Sequence, residues 1–400
     1  MARPLVIVGC GQIVTHHCVA LGALPPSTFQ IVALVDPSDE RRQVISKQLR
    51  DKSPHMLESP LMECGSLDEL LNNEHIMKQK PAVFISVPHD LHVTLAKQAL
   101  DVGLDVVMEK PLAPTIEGCK ELLQHADQSE GMLIISEQSP YWQEVAKAKT
   151  LLQEGAIGTL ISAAAFYYES MRDNVTSGTD ASGGLGWRTS LKRAGGGIVI
   201  DGGLHWLRPL REFCGEVDSV VGVCRNAEAG LGMEGETLAH ALLKMSPIAC
   251  PNGGESSPLS SHQTQPKNSG QLVATFSANM MHTAPMAHDE CPYFRLTGTK
   301  GEMIIYGTGL NPNGGGGLKL YNQDHVGGVD LFPRDRQGGF FLGFQGVWEV
   351  VAGILTDGDR TRARDTVRNA AADVAVALTL YKSSESGKWE DCEQFLSTVN

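Results

Sequence analysis

The sequence carries no surplus of positive charge. Its 33 Lys and Arg stand against 46 Asp and Glu, a formal net charge of -13 over 400 residues. Binding to a phosphate backbone relies on dense Lys and Arg, and no block of like charge offsets the deficit. Nucleic acid is therefore not an expected partner. No uninterrupted apolar run reaches the ~18 residues of a membrane helix, so no membrane partner is expected either. The nine cysteines (10, 18, 64, 119, 214, 224, 250, 291 and 392) are scattered, odd in number and without a CxxC spacing. That pattern suits buried free thiols in a reducing compartment better than disulfides or a zinc site. Met-Ala-Arg-Pro runs straight into an apolar segment at Leu5, which leaves no room for a signal peptide. The expectation is a cytoplasmic protein. His282 and His288 lie six apart and fit no metal spacing, and neither a GxSxG elbow, a P-loop nor an internal repeat is found. No metal is expected.

What is present is an ordinary globular composition, 42% hydrophobic and 20% charged. Four hundred residues exceed what one core usually serves, so two domains are expected. Residues 1–136 alternate short Val- and Ile-rich runs (Leu5–Val8, Gln30–Val35, Ala82–Val87, Asp105–Met108, Met132–Ile135) with amphipathic stretches such as Leu91–Leu100 and Thr115–Glu130. This alternation predicts an α/β domain with a parallel sheet and right-handed crossovers. Residues 137–400 are expected to form the substrate-binding and oligomerisation domain, and from Thr159 the texture changes. Leu160–Tyr168, Val217–Arg225, Glu236–Lys244, Gln271–Ala278 and Met303–Tyr306 follow one another with few helices between. They predict an α+β domain with a large, mainly antiparallel sheet, closed by helices over Phe340–Leu355 and Arg362–Lys382. The Pro-, Gly- and Ser-rich stretch 246–270 reads as a flexible insertion, and 307–317 as a second glycine-rich loop.

Val6-Ile7-Val8-Gly9-Cys10-Gly11-Gln12-Ile13-Val14 is a strand leading through a glycine turn into a helix. Gly9 would permit the tight turn, and Gly11 would let a pyrophosphate approach the helix start. Val14 occupies the third small position, so the fingerprint is incomplete, and a plain strand–helix turn shares these residues. Asp36, 25 residues after Gly11, closes the second strand near the ~20-residue spacing of the acid that accepts hydrogen bonds from an adenosine ribose. A helix cap before Pro37 is its other reading. Together these residues predict NAD binding. Ser38, Arg41 and Arg42 just beyond Asp36 leave NADP open.

Glu109-Lys110-Pro111 follows the fifth predicted strand, which places Lys110 at the carboxyl edge where open α/β sheets bind ligands. A lysine there can polarise a substrate hydroxyl, or be an ordinary surface residue. Asp201 and His205 follow three glycines, 195–197; in a helix their i, i+4 spacing puts them on one face. A His beside a carboxylate is an acid–base unit suited to neutral pH, or a structural pair.

Taken together, the sequence resembles the glucose–fructose oxidoreductase / inositol dehydrogenase / rhizopine-catabolism (Gfo/Idh/MocA) family over nearly its whole length. The resemblance rests on Gly9-x-Gly11 with His17, Ser86-Val-Pro88 with Leu91-His92, Glu109-Lys110-Pro111-Leu112 and Gly155-Ala-Ile-Gly158. It extends through Trp187-Arg188, Gly195–Gly197, Asp201-x-x-x-His205 and Gly298-Thr-Lys-Gly301. It implies an oxidoreductase that moves a hydride between a nicotinamide cofactor and a sugar, cyclic polyol or related small hydroxylated or carbonyl substrate. Lys110, Asp201 and His205 would form the catalytic group. Gly9, Gly11, Gln12, Ile13, Asp36, Ser86, Pro88, His92, Glu109, Lys110 and Gln138 would bind the cofactor, and Trp187 and Arg188 the substrate. Pro140 stands where many relatives carry Arg, a departure that bears on substrate class. Two rival readings are a glycosidase that oxidises its substrate transiently with bound NAD, and a silent Rossmann protein that regulates a partner. The joint presence of Lys110, Asp201 and His205 speaks against the second.

The strands of the second domain also predict self-association, as a homodimer or homotetramer. In Leu160–Tyr168, strict alternation places Leu160, Ala164, Phe166 and Tyr168 on one face and Ile161, Ala163, Ala165 and Tyr167 on the other. Both are apolar, and a sheet with one wet face should alternate. Loops 246–270 and 307–317 folding back over the sheet is the alternative.

Overall fold

Six short segments, all but the third strongly apolar, pair into one parallel sheet: β1 (Arg3–Val8), β2 (Phe29–Val35), β3 (Leu57–Cys64), β4 (Ala82–Ile85), β5 (Val106–Met108) and β6 (Leu133–Ile135). The computed structural model describes residues 2–170, 186–227, 232–246, 271–281, 292–306, 317–332 and 339–392. The strand order is β3-β2-β1-β4-β5-β6. The chain leaves β1 in one direction and returns on the other side at β4. The crevice outside the carboxyl ends of β1 and β4 is thus the switch point where such sheets take ligands. Helices alternate with the strands, as over Asp39–Lys52, His92–Asp101 and Ile116–Gln128. Ser38 and Thr115 cap two of them, each accepting a backbone N–H three residues on. β3 was not evident in the sequence; Pro60 sits inside it, which an edge strand tolerates.

Among the described residues, nine further strands form a second sheet: β7 (Leu160–Ser170), β8 (Val217–Arg225), β9 (Leu238–Met245), β10 (Val273–Met281), β11 (Pro292–Gly298), β12 (Gly301–Tyr306), β13 (Leu318–Asn322), β14 (His325–Phe332) and β15 (Glu390–Asp391). Their order is β14-β13-β12-β11-β7-β10-β9-β8-β15, and all pairs are antiparallel except β7 with β10. The sheet is mixed and mostly antiparallel. The helix Leu204–Cys214 buries Trp206 against Tyr167 and Phe213 against Phe294 of this sheet.

One expectation about β7 is corrected. Thr297 pairs with Ser162 and Gly298 with Leu160, so Ile161 is an extra residue in the ladder. Such a bulge reverses the alternation. Leu160 is therefore buried with Ala163, Ala165 and Tyr167, while Ile161 is exposed. One face of the strand is core, and the other is accessible.

The described residues group into two compact units. The first holds residues up to Gln138 together with Phe344–Ala372, and the second holds Ser139–Gly343 and the chain from Asp373 on. A single cut at 136/137 would leave 344–372 with the second sheet. They belong to the first because Trp348, on the helix Gly339–Asp357, is fully buried against Phe29 and Phe84. The insertion read at 246–270 lies outside the described residues from 247 on, as do His282, His288 and most of 307–317. Among the described residues, no helix is long and apolar enough to cross a membrane.

Candidate active site

In the first unit the residues singled out by sequence gather at the carboxyl ends of β1, β2, β4 and β5. Gly9 has φ +88°, and a Cβ there would lie 2.1 Å from the Ser86 carbonyl oxygen, so only glycine fits where these two strand ends meet. A Cβ at Gly11 would meet only the Arg41 guanidinium, at 3.9 Å. The space over Gly11 is open rather than packed. No side chain caps the helix Val14–Gly22 that follows; its Val14, Thr15 and His16 N–H groups bond back to the Gly11, Gln12 and Ile13 carbonyls at 3.2, 3.1 and 3.0 Å. Gln12 is exposed and Ile13 half-buried on this turn.

Asp36 is only 8% exposed. Its Oδ2 accepts the Cys10 N–H at 2.7 Å and its Oδ1 accepts the Ser38 N–H at 2.9 Å. The carboxylate is thereby fixed beside the glycine turn, and each oxygen keeps a lone pair for a hydroxyl. Arg42 donates to the Asp36 carbonyl oxygen and pairs with Asp39 and Glu63. The open cradle at Gly11 and the anchored acid together fit a dinucleotide.

Glu109 is buried, and its Oε1 contacts His17 Nε2 at 2.7 Å and the Ser136 hydroxyl at 3.3 Å, while its Oε2 accepts the Lys110 N–H at 3.2 Å. Lys110 is half-buried at the same strand end, and the Lys110–Pro111 peptide is cis. Ser86 and Pro88 follow β4. His92 lies beneath these turns, fully buried, with Nδ1 at 2.7 Å from the Pro111 carbonyl and Nε2 at 3.0 Å from that of Val87. Burial pushes its pKa below the usual value against the pull of both carbonyls. It ties the two turns together. Gln138 is buried just past β6.

In the second unit Asp201 lies on a wide turn, Val199–Gly203, closed by the Gly203 N–H bonding to the Ile198 carbonyl at 2.7 Å. This is π geometry, a form common at functional sites, and the plain helix assumed for Asp201 and His205 begins only at Leu204. Arg188 Nε donates to Asp201 Oδ2 at 2.7 Å, and its guanidinium lies 4.5 Å from the centre of the Trp187 ring. Trp187, Arg188 and Asp201 thus form one cluster. His205 is half-buried, its ring 6.3 Å from that of Trp142. The next residue, Trp206, is stacked on Tyr167 at 4.0 Å and touches Tyr293. Sequence reasoning missed Trp348, Ser136, Tyr167 and Glu236, whose roles depend on contacts between distant segments.

Two profiles of one family match the chain. The oxidoreductase family with the NAD-binding Rossmann fold (GFO/IDH/MocA) matches residues 4–137, and the GFO/IDH/MocA C-terminal domain matches residues 145–250. An uncharacterized oxidoreductase of Schizosaccharomyces pombe is 31% identical over 190 residues, 47% of this chain and 45% of that one. The 1,5-anhydro-D-fructose reductase of Ensifer adhaerens is 28% identical over 170 residues, 42% of this chain and 47% of that one. The chain spans about half the length of these curated relatives. A levoglucosan dehydrogenase solved with NADH and levoglucosan has a similar fold, with TM-score 0.73 and 16% identity over 98% of this chain and 99% of that one.

Proposed function

The chain belongs to the GFO/IDH/MocA oxidoreductase family, and from that premise we propose that it transfers a hydride between NAD and a hydroxyl or carbonyl carbon of a sugar or cyclic polyol. The observation that carries this reading is the cradle at Gly9 and Gly11 with Asp36 anchored beside it. The names of the relatives, an anhydrofructose reductase and a levoglucosan dehydrogenase, support a sugar-like substrate. Nicotinamide, when bound, supplies the hydride acceptor or donor. Asp36 would hold the adenosine ribose, and the turn at Gly11, Gln12 and Ile13 the pyrophosphate, with Ser86, Pro88 and Gln138 beside the cofactor.

In this reading His205 acts as general base for the substrate hydroxyl and returns the proton in the reverse direction. Lys110 stabilises the developing alkoxide as a fixed cation. Asp201 supports the charge that His205 gains, and its bond to Arg188 fixes its carboxylate. The Arg188 terminal nitrogens bond no other described residue, and with Trp187 they offer a donor fork and a ring edge to a polyhydroxylated substrate. The test is nicotinamide absorbance with NAD and NADP across a panel of sugars, anhydrosugars and inositols. Cofactor binding without turnover on any of them would turn the reading toward a nucleotide-binding regulator.

Self-association belongs to the same proposal. Four apolar side chains stand out of neighbouring strands of the second sheet: Ile161 of β7 (55% exposed), Val273 of β10 (38%), Leu242 of β9 (43%) and Val223 of β8 (51%). Large apolar side chains exposed together on one sheet suit an interface, and a second copy would make a homodimer or homotetramer. A cytoplasmic location is supported by seven free cysteines among the described residues. Burial pushes the thiols of Cys18 and Cys119 up to about 12, which keeps them protonated.

A further inference from the structure

The start of a helix leaves its first N–H groups without carbonyl partners, and a nearby Ser, Thr or Asp side chain usually supplies one acceptor. The helical segment that carries Asp201 and His205 has no such cap. Four successive N–H groups at its start are met from elsewhere in the chain. The Glu236 side chain accepts from Gly197 at 2.8 Å through Oε2 and from Val199 at 2.9 Å through Oε1. Its backbone carbonyl accepts from Ile198 at 2.9 Å. The Tyr381 hydroxyl accepts from Ile200 at 3.2 Å and donates to Glu236 Oε1 at 2.8 Å. The first amide bonded within the segment is that of Asp201, to the Gly197 carbonyl at 3.2 Å.

The three-glycine run is what admits this cap. A Cβ at Gly196 would lie 2.2 Å from the Tyr381 hydroxyl, and one at Gly197 would lie 2.0 Å from the Glu236 carbonyl oxygen. Glu236 is 9% exposed, and burying a carboxylate is costly unless it is well bonded. Here it is met by three donors and faces the positive end of the helix. A wide turn is also less favourable than regular α-helix, and such geometry persists where its surroundings over-determine it. Both costs fall on the one segment that presents Asp201 and His205.

We propose that Glu236 and Tyr381 are positioning residues that set the height and rotation of the turn bearing Asp201 and His205. The inference rests on the assignment of those two residues to the reaction. Removing either capping group leaves a buried N–H unpaired and lets the turn relax toward regular helix, which shifts both side chains. A misplacement of about 1 Å costs on the order of 100-fold in rate, and a partial relaxation is expected to cost ~10-fold or more.

The test uses Tyr381→Phe and Glu236→Gln in the full chain, with folding checked by melting temperature. Turnover should fall ~10-fold or more, with the dissociation constant for NADH within about twofold of wild type and the acidic limb of the pH–rate profile for alcohol oxidation, where a general base is lost by protonation, displaced. The ring resonances of His205 should move in both variants by NMR, a readout that needs no substrate. If the wild type turns over nothing, the proposed function fails while the His205 resonances still decide the positioning role. Folded variants with unmoved His205 resonances, or with unchanged turnover in an active enzyme, overturn the inference. Because Glu236→Gln can lose stability, Tyr381→Phe, which removes one oxygen, is the decisive variant.

Discussion

Trp348 Nε1 donates a hydrogen bond to Nδ1 of His17 at 2.9 Å. An indole nitrogen is a donor only, so His17 Nδ1 accepts and the ring proton sits on Nε2, aimed at Glu109 Oε1 at 2.7 Å. A residue on the helix Gly339–Asp357 thereby fixes the tautomer of a histidine that braces the acid before Lys110. Trp348→Phe keeps an aromatic ring but removes the donor. It should destabilise the protein by about 1–3 kcal/mol, for a lost buried hydrogen bond and incomplete filling of the site. The ring nitrogens of His17 should then show a tautomer mixture by NMR instead of one form. A single unchanged tautomer would count against this role for Trp348.

Lys110→Met and His205→Ala should each lower turnover by ~100-fold or more, the range for losing an electrostatic stabiliser or a general acid–base group. Cofactor affinity should change little for His205→Ala, since the part assigned to His205 is proton transfer with the substrate hydroxyl. Near-normal turnover in either variant rules out its assigned part.

NAD should bind more tightly than NADP. Asp36 presents a fixed carboxylate that would repel a 2′-phosphate. Of the two arginines beyond it, Arg42 is already committed to the Asp36 carbonyl, Asp39 and Glu63. Only Arg41, within 3.9 Å of the space over Gly11, is placed to answer a phosphate. Asp36→Ser should shift the ratio of dissociation constants toward NADPH, and a further Arg41→Ala should cancel the gain. A wild type that prefers NADPH defeats the assignment.

The parts legible in the sequence are those written in consecutive residues. Gly9, Gly11, Asp36 and Lys110 sit at strand ends, where strand, turn and helix follow in order, and their spacing carries the information. Glu236, Tyr381 and Trp348 act on segments 37, 181 and 331 residues away, and no periodicity encodes such a meeting. Likewise, the parallel pairing of β7 with β10 joins strands that share no turn, and the bulge at Ile161 is set by the partner strand β11. The run Leu57–Cys64 hid as a strand because Pro60 interrupts it.

Glu236 should leave a signature in stability against pH. Burial, opposed by the bonds from Val199, Tyr381 and Gly197, pushes its carboxyl above the ordinary 4.5. A carboxyl whose value is raised by folding favours the folded state while protonated. That contribution is full below the unfolded value and is lost as pH rises through the folded one. The melting temperature of wild type minus that of Glu236→Gln should therefore fall as pH rises from about 4.5 and then level off. Tyr381 and Cys224 face the same carboxyl, but burial holds both above their usual values, so neither titrates in this window. A difference that stays flat across it would show that the carboxyl is not perturbed.

The exposed face of the second sheet should hold a second copy of the chain. Leu242 of β9 pairs with Val221 of β8 on one side and Thr275 of β10 on the other, so it stands at the middle of the apolar group formed with Val223, Val273 and Ile161. Burying a leucine side chain of this kind contributes about 1.5–3 kcal/mol. Four such side chains, one on each of four neighbouring strands, would repeat on the partner in a two-fold interface. Placing a charge at the centre should be the most damaging single change, because burial against a second copy would strip it of water. Light scattering after size exclusion at micromolar protein should give at least twice the chain mass of 43.0 kDa, and Leu242→Glu should return it to that of one chain. Unchanged secondary structure in the variant would separate dissociation from unfolding. A wild type that elutes with the mass of one chain means that the apolar face is covered in some other way, and the proposal of self-association falls.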